Sequence, residues 1–315
     1  MDKLISIIMP VYNGEEFILE AIKSVMKQSY KNWELLIIND GSTDNTEEII
    51  KSFIENNNNI KYYSLNKNFG KVTAVNKGFE LSKGDYISLF AADDVMIENS
   101  LESRLNFLID NGLSAIFSDL YICDQNLNII KTLLNYKDTL YYWEKDYKRI
   151  LWDNFIPGGS ILLKKNLAQN IFPIPNKLSF EDWWLSFNIL IKGYKIGFLK
   201  KPLLKYRIHT NNDNGSLNIK NIDFRIKKNY KRHLAYYEEF INIIDNNSFG
   251  SSYETIRTLV EVNKNMKEKI IMSKFIFPNL KFIKNYGFIK YIDVLLTSMN
   301  ISYLPRKLLS IIKMK

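Results

Sequence analysis

Short apolar runs alternate with helix-like segments through the first third of the chain. Each run has the length of a buried strand, and the segments between them repeat apolar side chains every three or four residues. The runs lie at residues 4–9, 34–39, 60–65 and 86–91, and the helix-like segments lie at 15–28, 43–54 and 72–81. This alternation predicts a parallel sheet whose two faces are covered by helices.

The rest of the chain follows two other patterns. After a predicted helix at 97–109, strand-like runs separated by polar residues indicate a mixed sheet, at 114–130, 160–163, 195–199 and 204–208, with a helix at 183–191. From about residue 215 onward the spacing is helical, at 219–244, 253–276, 282–299 and 304–314. We predict an α/β domain with a mixed, mainly parallel sheet over 1–213 and a basic helical region over 214–315.

Polar residues follow the first two predicted strands, at the edge where parallel sheets bind ligands. Pro10, Val11 and Tyr12 form the turn after the first strand, and Asp40 follows the second. The Asp40 carboxylate is suited to accept the N3–H hydrogen bond of a uracil, with the backbone of the turn enclosing the base. The alternative is that Asp40 and Ser42 only cap the helix that comes next.

Two further strand ends carry charged residues. Lys71 lies directly before the helix predicted at 72–81, where a phosphate group binds readily, although a solvated lysine is the alternative. Asp93 and Asp94 follow the strand at 86–91. Adjacent carboxylates at a strand end are suited to Mg²⁺ or Mn²⁺ bridging a diphosphate. The alternative is that they cap the helix at 97–109.

These four features in order resemble the inverting family 2 glycosyltransferases of the GT-A fold, a Rossmann-like α/β architecture. The resemblance rests on the runs PVYNGE, NDGSTDNT, NxGxxxAxNxG and GDYISLFAADD, and continues through PGGS, FEDW and YRIH as far as about residue 210. It implies transfer of a single sugar from a nucleotide-sugar to an acceptor hydroxyl, with inversion at the anomeric carbon. By analogy the product is a bacterial surface polysaccharide such as an O-antigen or capsule.

The resemblance also implies roles for individual residues. Asp93 is expected to bind the metal directly with support from Asp94, and His209 to contact the metal or the diphosphate. Asp182 is expected to be the general base, with Glu181 as the alternative base. The turn at 10–12 and Asp40 are expected to hold the nucleotide base, with uridine as the default.

One residue departs from the family pattern. Ala91 stands where the commoner motif has another acidic residue, so the stretch reads Ala-Ala-Asp-Asp. A second hypothesis is therefore a catalytically weak or inactive protein of the same fold that binds nucleotide-sugars. A third, a nucleotidyltransferase, requires a basic glycine-rich loop near the N-terminus, whereas the loop here, residues 13–16, is acidic.

Composition and charge bear on location and partners. The chain has one cysteine, Cys123, which excludes an intramolecular disulfide and is typical of a reducing, cytoplasmic compartment. Neither a signal peptide nor an apolar run of roughly 18 residues is evident. Residues 214–315 hold 18 Lys and Arg against 8 Asp and Glu. This basic region predicts peripheral contact with the inner face of the membrane, rather than nucleic-acid binding, with a solvated helical cap as the alternative. The expected acceptor is a glycan or a lipid-linked sugar.

Overall fold

The computed structural model describes residues 3–54, 57–133, 150–151, 154, 156–209, 212, 222–246 and 252–272. The chain divides into two units, Met1–Ser216 and Leu217–Lys315. The first unit contains all the predicted site residues.

Strands and helices alternate in the first unit as far as β4. In chain order the elements are β1 (Ile5–Val11), α1 (Ile18–Met26), β2 (Trp33–Asn39), α2 (Thr46–Ile54), β3 (Ile60–Ser64), α3 (Lys71–Leu81), β4 (Tyr86–Leu89), β5 (Val95–Met96), α4 (Ser100–Asp110), β6 (Ala115–Cys123), β7 (Ile129–Thr132), β8 (Ile161–Lys164), α5 (Lys165–Gln169), α6 (Glu181–Ile191) and β9 (Ile196–Arg207).

The strands form one mixed sheet in the order β3-β2-β1-β4-β8-β6-β9-β5, with β7 paired to β6. The first four strands of that order are parallel to one another. β8 is antiparallel to both β4 and β6, whereas β9 runs parallel to β6. The predicted mixed, mainly parallel sheet is confirmed, and the C-terminal ends of β1 to β4 lie along one edge.

The two faces of β1 pack against different helices. Ile7 and Met9 are fully buried in a cluster with apolar side chains of α1, including Ile22. On the other face, Ile8 lies against Gly78 of α3. Because both faces are covered, the strand has a continuous apolar sequence instead of an alternating one.

The prediction of two separate strands at 195–199 and 204–208 was wrong. They are the single strand β9, whose exposed residues Lys200 and Lys201 interrupt the apolar pattern without ending the strand. The pairing of β6 with β9 shifts register near Asp119 and Pro202 and then resumes. A shift of this kind accommodates a proline that donates no ladder hydrogen bond.

Two smaller differences concern the segment after β4. The short strand β5 was not predicted, and it pairs with β9. The helix predicted at 97–109 therefore begins only at Ser100, after β5. Because β5 separates Asp93 and Asp94 from α4, the two aspartates do not cap that helix.

The second unit contains two long helices, α7 (Ile222–Asn246) and α8 (Ser252–Met272). Lys267 of α8 is fully buried, with its Nζ 5.0 Å from the ring centroid of Tyr230 and 5.1 Å from that of Tyr237. None of the helices in the described part of the chain is long and apolar enough to cross a membrane. The helices predicted at 282–299 and 304–314 lie outside the described residues.

We predict that Gly78→Ala destabilises the first unit. A Cβ at this position would lie 2.3 Å from Cγ2 of Ile8, which is fully buried, so the new methyl group overpacks the interface between α3 and the sheet. We expect a net loss of about 1–3 kcal/mol in the free energy of unfolding, despite the better helix propensity of alanine. Urea denaturation measures it.

The matched control is Lys77→Ala on the same helix, which should change the free energy of unfolding by less than about 0.5 kcal/mol. Equal stability of Gly78→Ala and the native chain would contradict the close approach of α3 to the sheet.

Candidate active site

The loops after β1 and β2 bind each other through side chains of the two motifs. The backbone N–H of Asn13 donates to Oγ of Ser42 at 2.9 Å, and the N–H of Thr43 donates to Oδ1 of Asn13 at 2.8 Å. The N–H of Gly14 donates to Oγ1 of Thr46 at 2.8 Å. Much of the PVYNGE and NDGSTDNT pattern therefore provides hydrogen bonds that join the loops after two neighbouring strands. Tyr12, directly after β1, is 48% exposed.

The buried carboxylate of Asp40 anchors the loop before α3. It accepts the backbone N–H of Phe69 and of Gly70, each at 2.8 Å. Gly41, at φ 71°, packs so closely on this loop that a Cβ would lie 2.5 Å from the carbonyl carbon of Lys67. The loops after β2 and β3 are thus fixed to one another by a carboxylate and a glycine.

The alternative that Asp40 and Ser42 cap α2 is not what the structure shows. At the start of α2 the carboxylate of Asp44 accepts the N–H of Thr46 at 3.1 Å. Burial acts against the ionised form of Asp44, but its hydrogen bonds outweigh that effect and lower the pKa of the carboxyl group.

Asp93 and Asp94 bind different partners. Oδ2 of Asp93 lies 3.1 Å from Nε2 of His209 and 3.3 Å from the side-chain nitrogen of Asn212. Asp94 is buried and accepts the backbone N–H of Arg207 at 3.0 Å. Burial, and then the neighbouring charge of Asp93, raise the pKa of Asp94 well above its usual value. Asp93 is thus placed to meet a ligand, and Asp94 holds β9 to the end of β4.

Arg207 organises this corner of the site, and the sequence analysis gave it no role. Its guanidinium donates to the carbonyl oxygens of Asp93 at 2.9 Å and Gln125 at 2.5 Å, and forms an ion pair with Glu20. The ring of Phe17 lies 4.5 Å from this guanidinium and 4.7 Å from the ring of His209. The only signal in the sequence was its position in the YRIH run, two residues before His209.

Glu181 and Asp182 begin α6 and belong to a second charged cluster. Oε1 of Glu181 lies 3.0 Å from Nζ of Lys71, and Glu181 is buried. A Cβ on Gly158 would lie 2.6 Å from the same oxygen, so the glycine of the PGGS turn leaves room for the carboxylate. Lys71 was predicted to meet a phosphate or water, whereas here it pairs with Glu181.

The adjacent Asp182 is a carboxyl group with a strongly shifted pKa. Burial and the charge of Glu181 raise the pKa of Asp182 to about 7, against the opposing effects of Lys71 and of hydrogen bonds from Trp183 and Asn154. A carboxylate of that basicity removes a proton from a hydroxyl group more readily than an ordinary aspartate does.

Lys71 joins the two clusters electrostatically. Burial acts to lower its pKa, but the charges of Glu181, Asp182 and Asp93 outweigh burial and raise the pKa of Lys71. The structure therefore brings residues from α3, β9, α6 and the end of β4 into one site.

The donor atoms around Asp93 are compatible with a divalent cation. Within the described ranges, no group of three or more His, Cys, Asp and Glu side chains is arranged to hold a metal. The oxygen of Asp93 and the nitrogen of His209, 3.1 Å apart, fit a cation that takes its remaining ligands from phosphate oxygens and water. Asp94, predicted as a supporting ligand, is directed to the backbone of Arg207.

Comparison with known protein families identifies the family of the chain. The model of the family described as "Glycosyl transferase family 2" matches residues 6–172, which include the strand ends described above and more than half of the chain. This chain belongs to glycosyl transferase family 2. Asp182 and His209 lie beyond the matched residues.

Relatives of this family 2 glycosyltransferase extend the similarity along the chain. The UDP-Glc:alpha-D-GlcNAc-diphosphoundecaprenol beta-1,3-glucosyltransferase WfgD of Escherichia coli is 32% identical over 212 residues, which cover 66% of this chain and 78% of WfgD.

Two solved structures share the fold at low sequence identity. TarS of S. aureus, in complex with UDP-GlcNAc, has a TM-score of 0.59 at 16% identity and covers 94% of this chain and 79% of its own. The mannosyltransferase PcManGT from Pyrobaculum calidifontis, in complex with GDP-Man and Mn²⁺, has a TM-score of 0.58 at 15% identity. The match covers 97% of this chain and 82% of PcManGT. These likenesses confirm the GT-A fold.

We predict that Arg207→Met destabilises this family 2 glycosyltransferase. The substitution keeps an apolar stem of similar length but leaves the carbonyl groups of Asp93 and Gln125 without their donor. Loss of two part-buried hydrogen bonds from a charged group lowers the free energy of unfolding by about 2–4 kcal/mol in total. Urea denaturation measures the loss.

Lys51→Met is the control, because Lys51 forms an exposed pair with Glu47 on α2 and should contribute less than about 0.5 kcal/mol. Equal effects of the two substitutions would show that Arg207 does not organise the site.

Proposed function

We propose that this glycosyltransferase transfers one sugar from a UDP-sugar, with inversion, to a hydroxyl group of a lipid-linked acceptor during synthesis of a bacterial surface polysaccharide. The observation that carries the proposal is the pair of charged clusters joined by Lys71. One contains Asp93 and His209, and the other contains a carboxyl group of raised pKa, Asp182. They provide a place for a charged leaving group and a base for the acceptor.

The nucleotide end of the site is formed by the first two strand ends. The backbone N–H of Asp40 donates to the carbonyl oxygen of Val11 at 2.8 Å, so the turn at residues 10–12 lies beside Asp40. A carboxylate offers about four acceptor positions, and two backbone amides use only part of that capacity. Asp40 therefore retains the ability to accept the N3–H of a uracil. The names of WfgD and of the TarS complex support a UDP-sugar, whereas PcManGT binds GDP-Man.

At the acceptor end, Asp182 takes the proton of the attacking hydroxyl group as its oxygen bonds to the anomeric carbon of the donor. The bond from that carbon to the diphosphate breaks in the same step, so the configuration inverts. Glu181 is the poorer base because its oxygen pairs with Lys71. A divalent cation held by Asp93 and His209 would offset the negative charge that develops on the leaving diphosphate.

The proposed lipid-linked acceptor has two supports. WfgD, by its name, acts on a sugar attached to diphosphoundecaprenol. Residues 214–315 have a net charge of +10, which favours contact with anionic headgroups at a membrane surface. Peripheral attachment to the inner face of the cell membrane is part of the proposal, and much of the basic tail lies outside the described residues.

We predict that one UDP-sugar of a panel is turned over in the presence of Mn²⁺ and lipid-diphosphate sugar acceptors. Asp182→Asn should lower turnover about 10²- to 10⁴-fold, because the amide cannot take a proton. Asp93→Ala and a chelator should both abolish it, since each removes the neutralising cation. Release of UDP, followed with the product glycolipid, measures the reaction.

Asp110→Asn, at the exposed end of α4, is the control and should be as active as the native chain. Failure of every donor to be turned over would favour the second hypothesis, a nucleotide-sugar-binding protein with Ala91 in the acidic motif. Full activity with chelator would remove the metal from the proposal.

We further predict that turnover falls about tenfold for each pH unit below about pH 7. The pKa of Asp182 is about 7, raised from that of an ordinary aspartate, so the basic form predominates above that pH and is lost as the pH falls. A pH profile of kcat/KM measures this fall, which is the acidic limb of the profile. The residual activity of Asp182→Asn should show no acidic limb. A limb at about pH 4 would assign the base an ordinary carboxyl pKa.

A further inference from the structure

Lys71 lies at the predicted helix start and has an acidic partner that the sequence did not indicate. It begins α3, but its Nζ lies 3.0 Å from Oε1 of Glu181, more than a hundred residues later in the chain. The Lys71 side chain is 34% exposed, whereas that of Glu181 is 4% exposed. The lysine therefore reaches from the donor side of the sheet edge to the carboxylates at the start of α6.

The carboxylate of Glu181 depends on this contact. Its second oxygen, Oε2, is buried and has no hydrogen-bond partner among the described residues. Gly158 closes the other side of the group without contributing a donor side chain. A buried carboxylate with so little hydrogen bonding is stable as an ion only beside a cation.

The negative charge of Glu181 acts directly on Asp182, its neighbour in sequence. Two ionised carboxylates at adjacent positions of one helix end repel each other, so each disfavours ionisation of the other. A cation beside Glu181 offsets that repulsion. Asp182 can then be ionised, as a general base must be, near neutral pH.

We propose that Lys71 is a positioning residue for catalysis: it neutralises Glu181 and so keeps Asp182 in the basic form. The inference rests on the proposed function, in which Asp182 is the base. It gives Glu181 and Lys71 a joint task instead of assigning Lys71 to a donor phosphate.

The anchoring of Lys71 supports this assignment. Asp40 binds the N–H of Gly70, the residue directly before Lys71. The start of α3 is thus fixed to the end of β2, and the lysine side chain extends from a fixed point. Gly70 and Lys71 thus connect the nucleotide end of the site to the carboxylates that include the proposed general base, Asp182.

The test compares pH profiles of kcat/KM for the native chain, Lys71→Met and Lys71→Arg. Loss of the cation should move the acidic limb of Lys71→Met upward by at least about one pH unit, an about tenfold loss at pH 6 that shrinks toward pH 9. Lys71→Arg should restore most of the native profile. Lys77→Met, on the exposed face of the same helix, is the control and should leave the profile unchanged.

A double variant separates the proposed role from phosphate binding. Adding Glu181→Gln to Lys71→Met removes the uncompensated charge, so the acidic limb should return toward the native position. If Lys71 binds a donor phosphate, Lys71→Met should raise KM for the donor at every pH, and Glu181→Gln should not reverse the effect. That result, or an acidic limb that does not move, overturns the inference.

Thermal unfolding provides a readout that does not need turnover. Without the lysine, Glu181 and Asp182 are forced to ionise unpaired as the pH rises, so the Tm deficit of Lys71→Met should be larger at about pH 8.5 than at about pH 5.5. A deficit independent of pH would overturn the inference by itself. A native chain that turns over no donor, yet shows this pH-dependent deficit, would overturn the proposed reaction and leave the charge pairing standing.

Discussion

The hydrogen bonds from two backbone amides to the carboxylate of Asp40 are the constraint on which the site depends. They fix the loop before α3 to the end of β2, where Gly41 allows the two backbones to touch. Because α3 starts from this fixed point, Lys71 can reach Glu181 on a helix from a distant part of the sequence. A loop held less firmly would leave the lysine in solvent and the carboxylate without its cation.

The site is organised by the local pairing of charges. Lys71 forms an ion pair with Glu181, and Arg207 forms one with Glu20. Arg207 also donates a hydrogen bond to the carbonyl oxygen of Asp93. Each pairing is partly shielded from water, so breaking one leaves a charge that the interior solvates poorly. The carboxyl groups with raised pKa, Asp94 and Asp182, follow from the same arrangement, since burial acts on them more strongly than the nearby cations do.

The sequence predicted the sheet and the strand ends because both depend on local patterns. Apolar runs located β1 to β4, and polar residues directly after them located Asp40 and Asp93 at one edge. The partners of these residues were not predictable in the same way. Arg207 meets Asp93 across more than a hundred residues, and the contact of Lys71 with Glu181 also depends on tertiary packing. Lys200 and Lys201 misled the strand assignment because two consecutive exposed lysines within a strand resemble a loop in sequence.

The turn after β4 does not need an acidic side chain at residue 91, where this chain has Ala91. Its carbonyl oxygen accepts the N–H of Asp94 at 3.4 Å, so its part in the turn after β4 uses backbone atoms that any residue supplies. The carboxylate that commoner members carry at this position is therefore not needed to shape the turn. Asp93 keeps its orientation through His209 and Asn212, neither of which depends on residue 91. The departure leaves the geometry around Asp93 in place.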